Sequence, residues 1–139
     1  MKKAQVGIEF IAVFLLVFLL FLFLQADSVV ATNSLIDRAA LATAANLLDE
    51  VATVIDLAGH STALSAQFST PSFLPGGFNY VFGVSNTSVY ISWNATRGLR
   101  SVQRQITAFN VTNSTGATFF SLLPGQHLAT KIQKGVRIT

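Results

Sequence analysis

The chain has 139 residues, of which 51% are hydrophobic, 11% charged and none cysteine, and its mean hydropathy is +0.55. The length suits one folded unit. The charged share is about half that of a typical soluble protein, which argues against an ordinary cytosolic globule, and the hydrophobicity excludes a disordered chain.

The first element is apolar. Residues 10–24 are fifteen consecutive apolar residues, and extending back to Val6 gives nineteen with one charge among them, Glu9. At about 1.5 Å per residue a helix of that length is roughly 28 Å long, close to the hydrocarbon thickness of a bilayer. Lys2 and Lys3 precede the run, Asp27 is the first charge after it, and Arg38 is the first downstream cation. By the positive-inside rule the N-terminus stays in the cytoplasm and the remainder crosses outward.

Residues 8–58 contain neither glycine nor proline. Ile36, Ala40, Thr43, Leu47, Val51, Val54 and Ala58 recur at steps of three and four, a helical stripe. Leu41, Leu48 and Ile55 form a second stripe at seven-residue steps on a different face. A helix apolar on more than one face is covered from more than one side. Residues 5–58 are therefore expected to form one helix, roughly 80 Å long, with 6–24 as its apolar half. Gly59 sits where a left-handed C′ residue would end it.

Residues 59–139 are rich in Ser, Thr, Gly and Asn and hold all three prolines. Strands are expected at 78–84 and 88–93 around 85–87, and at 105–112 and 117–123 around the 113–116 turn, with a last strand from Leu128 to Ile138. Pro75-Gly76-Gly77 and Pro124-Gly125 are turn signals. Residues 99–106 fit a strand or, through Leu99, Val102 and Ile106, a helical face. The expected class is α+β: a long N-terminal hydrophobic helix and a small C-terminal antiparallel sheet, the head, packing one face on the distal half of the helix.

All six acids lie at or before residue 56, and residues 57–139 carry six cations and no acid. Such a surface either keeps a small sheet soluble or attracts anionic polymers. No aromatic and basic residues cluster as nucleic-acid readout requires, so no nucleic-acid partner is expected. Without cysteine there is no disulfide framework, thiolate metal site or cysteine nucleophile. His60 and His127 are far apart, and no acid lies near either beyond Asp56. No catalytic residue, metal site or cofactor is assigned, and the expectation is a protein that is not an enzyme. Four Asn-x-Ser/Thr sequons occur, at Asn86, Asn94, Asn110 and Asn113, where the composition gives roughly one or two by chance. Asn, Ser and Thr also favour turns for local reasons, but an outward-facing head makes the sequons acceptors for N-linked glycans.

The N-terminus reads Lys2-Lys3-Ala4, then Gln5-Val6-Gly7-Ile8-Glu9-Phe10, then the apolar run. It resembles the class III signal peptide of archaeal type IV pilins: basic residues, a small residue, then Gln-x-Ser-x-Glu ahead of a hydrophobic stretch. Gln5 and Glu9 match that pattern, Gly7 stands in place of the usual Ser, and Val13 where the pattern has Leu. The motif covers the first thirteen residues, and the helix-plus-head outline extends the likeness along the chain. Bacterial type IV pilins share the glutamate but usually have Gly where Ala4 stands and an aromatic where Gln5 stands. Archaellins lack the glutamine-led motif. The resemblance implies that residues 1–4 are a leader, cut by a dedicated prepilin peptidase between Ala4 and Gln5. It implies a membrane-inserted precursor that an assembly machinery builds into an extracellular homopolymer for adhesion or surface attachment. Gln5, Gly7 and Glu9 would then act in assembly, and Phe10, Phe14, Phe18 and Phe21 would lie in the filament core.

Physical chemistry gives Glu9 the same meaning. A carboxylate near the start of a membrane helix is expensive, and a buried charge must be paired. After cleavage the amine of Gln5 lies one helical turn away, on the same chain or on a neighbour, and pairing to a neighbour would set the axial register. On the competing account Glu9 sits at headgroup level in an ordinary anchor. Gly7 either allows close helix approach or frays the helix start. Two further accounts compete: a single-pass anchor with an outer β domain that never polymerises, and a secreted protein cut after Ala26 in Leu24-Gln25-Ala26, which would strand the 27–58 helix.

Overall fold

The computed structural model of the chain describes residues 2–60, 65–108 and 110–139, with side chains from Glu9 onward. One helix, α1, spans Lys2–His60. It runs unbroken through 8–58, as the absence of glycine and proline requires. The chain divides into two compact units between Leu35 and Ile36.

In the first unit two hydroxyls that follow the apolar run bond to the backbone of the helix itself. Thr32 Oγ1 donates to the Ser28 carbonyl at 2.9 Å and Ser34 Oγ to that of Ala31 at 2.8 Å, the usual back-bonding of hydroxyls inside a helix.

The second unit contains about the last seven turns of α1 and eight strands. These are β1 (Ser65–Thr70), β2 (Tyr80–Val84), β3 (Ser88–Ala95), β4 (Gly98–Gln105), β5 (Val111–Asn113), β6 (Phe120–Leu122), β7 (Gly125–Ile132) and β8 (Gly135–Ile138). They form two four-stranded sheets, ordered β1-β7-β8-β5 and β4-β3-β2-β6. The expected single antiparallel sheet is thus two, and one is mixed, because β5 pairs β8 in parallel. The β2–β3 hairpin forms around the 85–87 loop as expected, in the register Val84↔Val89, and Ser85 N donates to the Ser88 carbonyl at 2.8 Å. The ambiguous stretch 99–106 is strand up to Gln105, as part of β4, an edge strand, and Ile106 after it turns into the core.

Other expected strands are redistributed. The expected last strand folds back on itself, pairing Ile132 with Gly135. Gly135, at φ 150°, takes a conformation that a side chain would oppose. The 105–112 strand shortens to β5, and Phe109 within it lies outside the described residues. The 113–116 turn does not close a hairpin, because β5 belongs to one sheet and β6 to the other. β1 was not expected at all: Ser65–Thr70 carries one large apolar residue, Phe68, and relies on β7 as its partner.

Both sheets and the helix contribute to one core. From α1 come Ala40, Ala44, Leu47, Leu48, Val51, Ala52, Ile55 and Ala58; β2 and β3 add Phe82, Val84, Val89, Ile91 and Trp93; β1, β5, β7 and β8 add Phe68, Val111, Ala129, Val136 and Ile138. Each large side chain so buried contributes about 1.5–3 kcal/mol. Leu48 and Ile55 join the same buried face as Leu47 and Val51, so the two expected stripes merge, and Leu41 is left exposed. The four alanines keep the helix close to the strands. Gly59 does the same and does not act as a left-handed stop. It lies inside the last turn of α1, and a Cβ there would come within 2.9 Å of Ala108 Cβ. The left-handed glycines are elsewhere, among them Gly76 and Gly77 in the expected Pro75 turn.

Candidate functional site

The apolar run is the most unusual surface of the molecule. Fourteen large side chains between Phe10 and Leu24 are exposed, with Phe10, Phe14, Phe18 and Phe21 at 72%, 61%, 48% and 56%. Phe14 and Phe18, one turn apart, stack with ring centroids 6.5 Å apart and planes within 8°. The helix holds an eighteen-residue window of mean hydropathy 2.6, none of it buried. It is long and apolar enough to cross a membrane. Glu9 is exposed at the start of this run. Ala4, Gln5 and Gly7 lie on α1, but their side chains are outside those described, as are the roles expected for them.

In the second unit the carboxylates of α1 fasten one border of the β4-β3-β2-β6 sheet. Asp37 Oδ1 accepts from Thr96 N at 3.2 Å and Thr96 Oγ1 at 2.9 Å, in the turn that leads into β4. Asp49 Oδ1 meets Arg104 Nε at 3.0 Å, with both side chains more than half exposed, so that pair is worth at most about 1 kcal/mol. Asp56 Oδ1 accepts from the backbone N–H of both Thr107 and Ala108 at 2.7 Å. The charge segregation along the chain, acids on the helix and cations beyond it, is a sequence signal for the Asp49–Arg104 pair alone; the uncharged donors that meet Asp37 and Asp56 leave no mark in the sequence.

The two histidines stay apart and serve the fold. His60 Nε2 lies 3.2 Å from Thr107 Oγ1. His127 Nε2 donates to the Leu123 carbonyl at 2.8 Å and its ring packs on Phe68. Tyr80 donates to the Pro71 carbonyl; burial pushes its phenol above its ordinary value, against the lowering effect of a hydrogen bond with Thr70. The Trp93 indole N–H is buried without a partner. Trp93 lines a cleft of about 240 Å³ with Asp37, Arg38, Leu41, Arg100 and Ser101, in which the carboxylate is committed to Thr96. Among the described residues, no three His, Asp or Glu side chains gather as a metal site.

The four sequons have different surroundings. Asn86 Oδ1 accepts from Val111 N at 3.2 Å, and its third residue, Ser88, is buried. Asn94 is exposed on β3, but its third residue is the Thr96 held by Asp37. Asn110 is at φ 60° and its Nδ2 donates to the Lys134 carbonyl at 2.7 Å. Asn113 Oδ1 accepts from Thr115 N at 3.0 Å, Thr115 Oγ1 at 2.7 Å and Ala117 N at 2.8 Å.

No protein family, curated protein or solved structure matches the chain.

Proposed function

We propose that the chain is a pilin, a structural subunit of an extracellular filament of the archaeal type IV kind, built by packing N-terminal helices and serving adhesion or surface attachment. The observation that supports this most is the uncovered stretch at residues 10–24, where fourteen large apolar side chains face outward beside a unit whose own core is already made. Such a stretch needs lipid before assembly and copies of itself afterwards. Glu9 is the only charge between Gln5 and Gln25; in a bundle of parallel helices it is matched by the Gln5 amine that cleavage after Ala4 releases. The unit from Ile36 would then line the outside of the filament, with no catalytic role.

Two readouts on material sheared from the cell surface test the proposal. N-terminal sequencing should begin at Gln5, or at its cyclised form, and electron microscopy should show thin helical filaments. A protein that begins at Met1 and forms no filaments would be a single-pass anchor with an outer β unit, and the proposal would fall.

A further inference from the structure

We propose that Asn113 is the residue of this chain that carries an N-linked glycan, in preference to Asn86, Asn94 and Asn110. The inference uses the preceding reading only in placing the strand unit outside the membrane. An N-glycosylating transferase must reach the amide nitrogen of an Asn and read the hydroxyl two residues later, so the three-residue segment must be accessible and its nitrogen unengaged. Folding removes one or both conditions at three sequons. At Asn110 the nitrogen itself is spent on the Lys134 carbonyl, and the next residue, Val111, is fully buried. At Asn86 the segment is not accessible, because its third residue Ser88 is buried with its N–H on Ser85 Oγ at 3.1 Å. At Asn94 the middle residue Ala95 is buried and the Thr96 hydroxyl is bound to Asp37.

Asn113 meets both conditions. Ser114, Thr115, Gly116 and Ala117 are all exposed. A Cβ placed on Gly116 would meet nothing within 4 Å, so the turn opens into free space. The turn is held by its own backbone, with Asn113 N donating to the Ala117 carbonyl at 3.0 Å and Gly116 N to that of Asn113 at 3.1 Å. Its Asx geometry already brings the Thr115 hydroxyl to the amide oxygen of Asn113. Three donors on that oxygen draw electron density out of the amide and make an Nδ2 proton easier to remove. In the transfer, Asn113 Nδ2 forms a bond to the anomeric carbon of a lipid-phosphate-linked sugar. The phosphate oxygen leaves with the electron pair of the broken C–O bond, and the Nδ2 proton passes to a base of the transferase.

The test uses the folded full-length chain in detergent, incubated with membranes carrying an N-glycosylating transferase and a lipid-phosphate-linked sugar, followed by mass spectrometry of the peptides. The expected result is sugar on the peptide containing Asn113, lost in Thr115→Ala and retained in Thr115→Ser, with an unchanged melting temperature in both. Preferential modification of Asn86, Asn94 or Asn110, or no modification of any sequon, overturns the proposal. The filament and N-terminus readouts on the same protein are independent: sugar on Asn113 of a chain that forms no filaments would sink the pilin reading and leave this one standing.

Discussion

Deleting residues 1–27 should convert a chain that needs lipid or detergent into a water-soluble monomer. The deletion leaves the whole compact unit that starts at Ile36, so the core and its strands keep every contact. The magnitude follows from the exposure of the apolar run. Fully burying a large apolar side chain is worth about 1.5–3 kcal/mol. The fourteen between Phe10 and Leu24 retain from 48% to 72% of their surface, which leaves about 1–2 kcal/mol each still to be gained and roughly 15–25 kcal/mol for the run. That rivals the tightest non-covalent complexes, about 18–21 kcal/mol, so an intact chain has no stable monomeric state in plain buffer. Sedimentation velocity on both proteins, with and without detergent, reads the outcome. The truncated chain should sediment as a monomer in either solvent and form no filaments, and the intact chain should do so only in detergent. An intact chain that stays monomeric in plain buffer would refute the reasoning, because the run would then have to be covered within the molecule.

Glu9→Gln should leave membrane insertion and the melting temperature of the strand unit unchanged but reduce filament yield; normal filaments by electron microscopy would show the carboxylate to be dispensable. Asp56→Ala leaves the buried N–H of Ala108 without an acceptor, at a cost of about 1–3 kcal/mol, seen as a lower urea midpoint. Asp56→Asn keeps an acceptor oxygen and should cost less, so equal losses in the two variants would contradict the role given to Oδ1. Gly83→Val puts a Cβ about 2.1 Å from the Tyr90 ring, its cross-strand partner, and should destabilise by about 1–3 kcal/mol; Tyr90→Ala in the same chain should recover most of the lost melting temperature.

The features legible in the sequence were those with local causes. An interval without glycine or proline reads as helix wherever it sits, and α1 follows it through both units. The β2–β3 hairpin was legible because β-rich runs flank a polar loop. What failed depended on partners distant in the chain. β1 has one large apolar residue and exists because β7 lies beside it. The 113–116 turn was legible between two strands, but β5 and β6 go to different sheets, which no local pattern records. Gly59 looked like a helix stop because glycine often is one; its actual constraint is the approach of Ala108, forty-nine residues later in sequence. The four sequons were legible as motifs, while the hydrogen bonds that separate Asn113 from the others come only from the folded chain. Residues 10–24 were legible as an apolar run, and the fold adds that the strand unit completes its core without them.

Three of the four aspartates of α1 share a target, and that has a consequence for association between copies. Asp37 holds the turn before β4, Asp49 the Arg104 side chain within it, and Asp56 the loop after it. β4 is eight residues long and forms the open border of its sheet. A border strand of that length offers a row of unpaired backbone groups to any other strand. Held before and after its length by Asp37 and Asp56, and more weakly within it by Asp49, β4 resists peeling away, and Arg100 would bring like charges together if two such borders met. In a chain proposed to stand at high density among its own copies, strand-to-strand stitching would be a rival route to aggregation. The helix that drives the proposed assembly thus also guards the sheet against an unordered one.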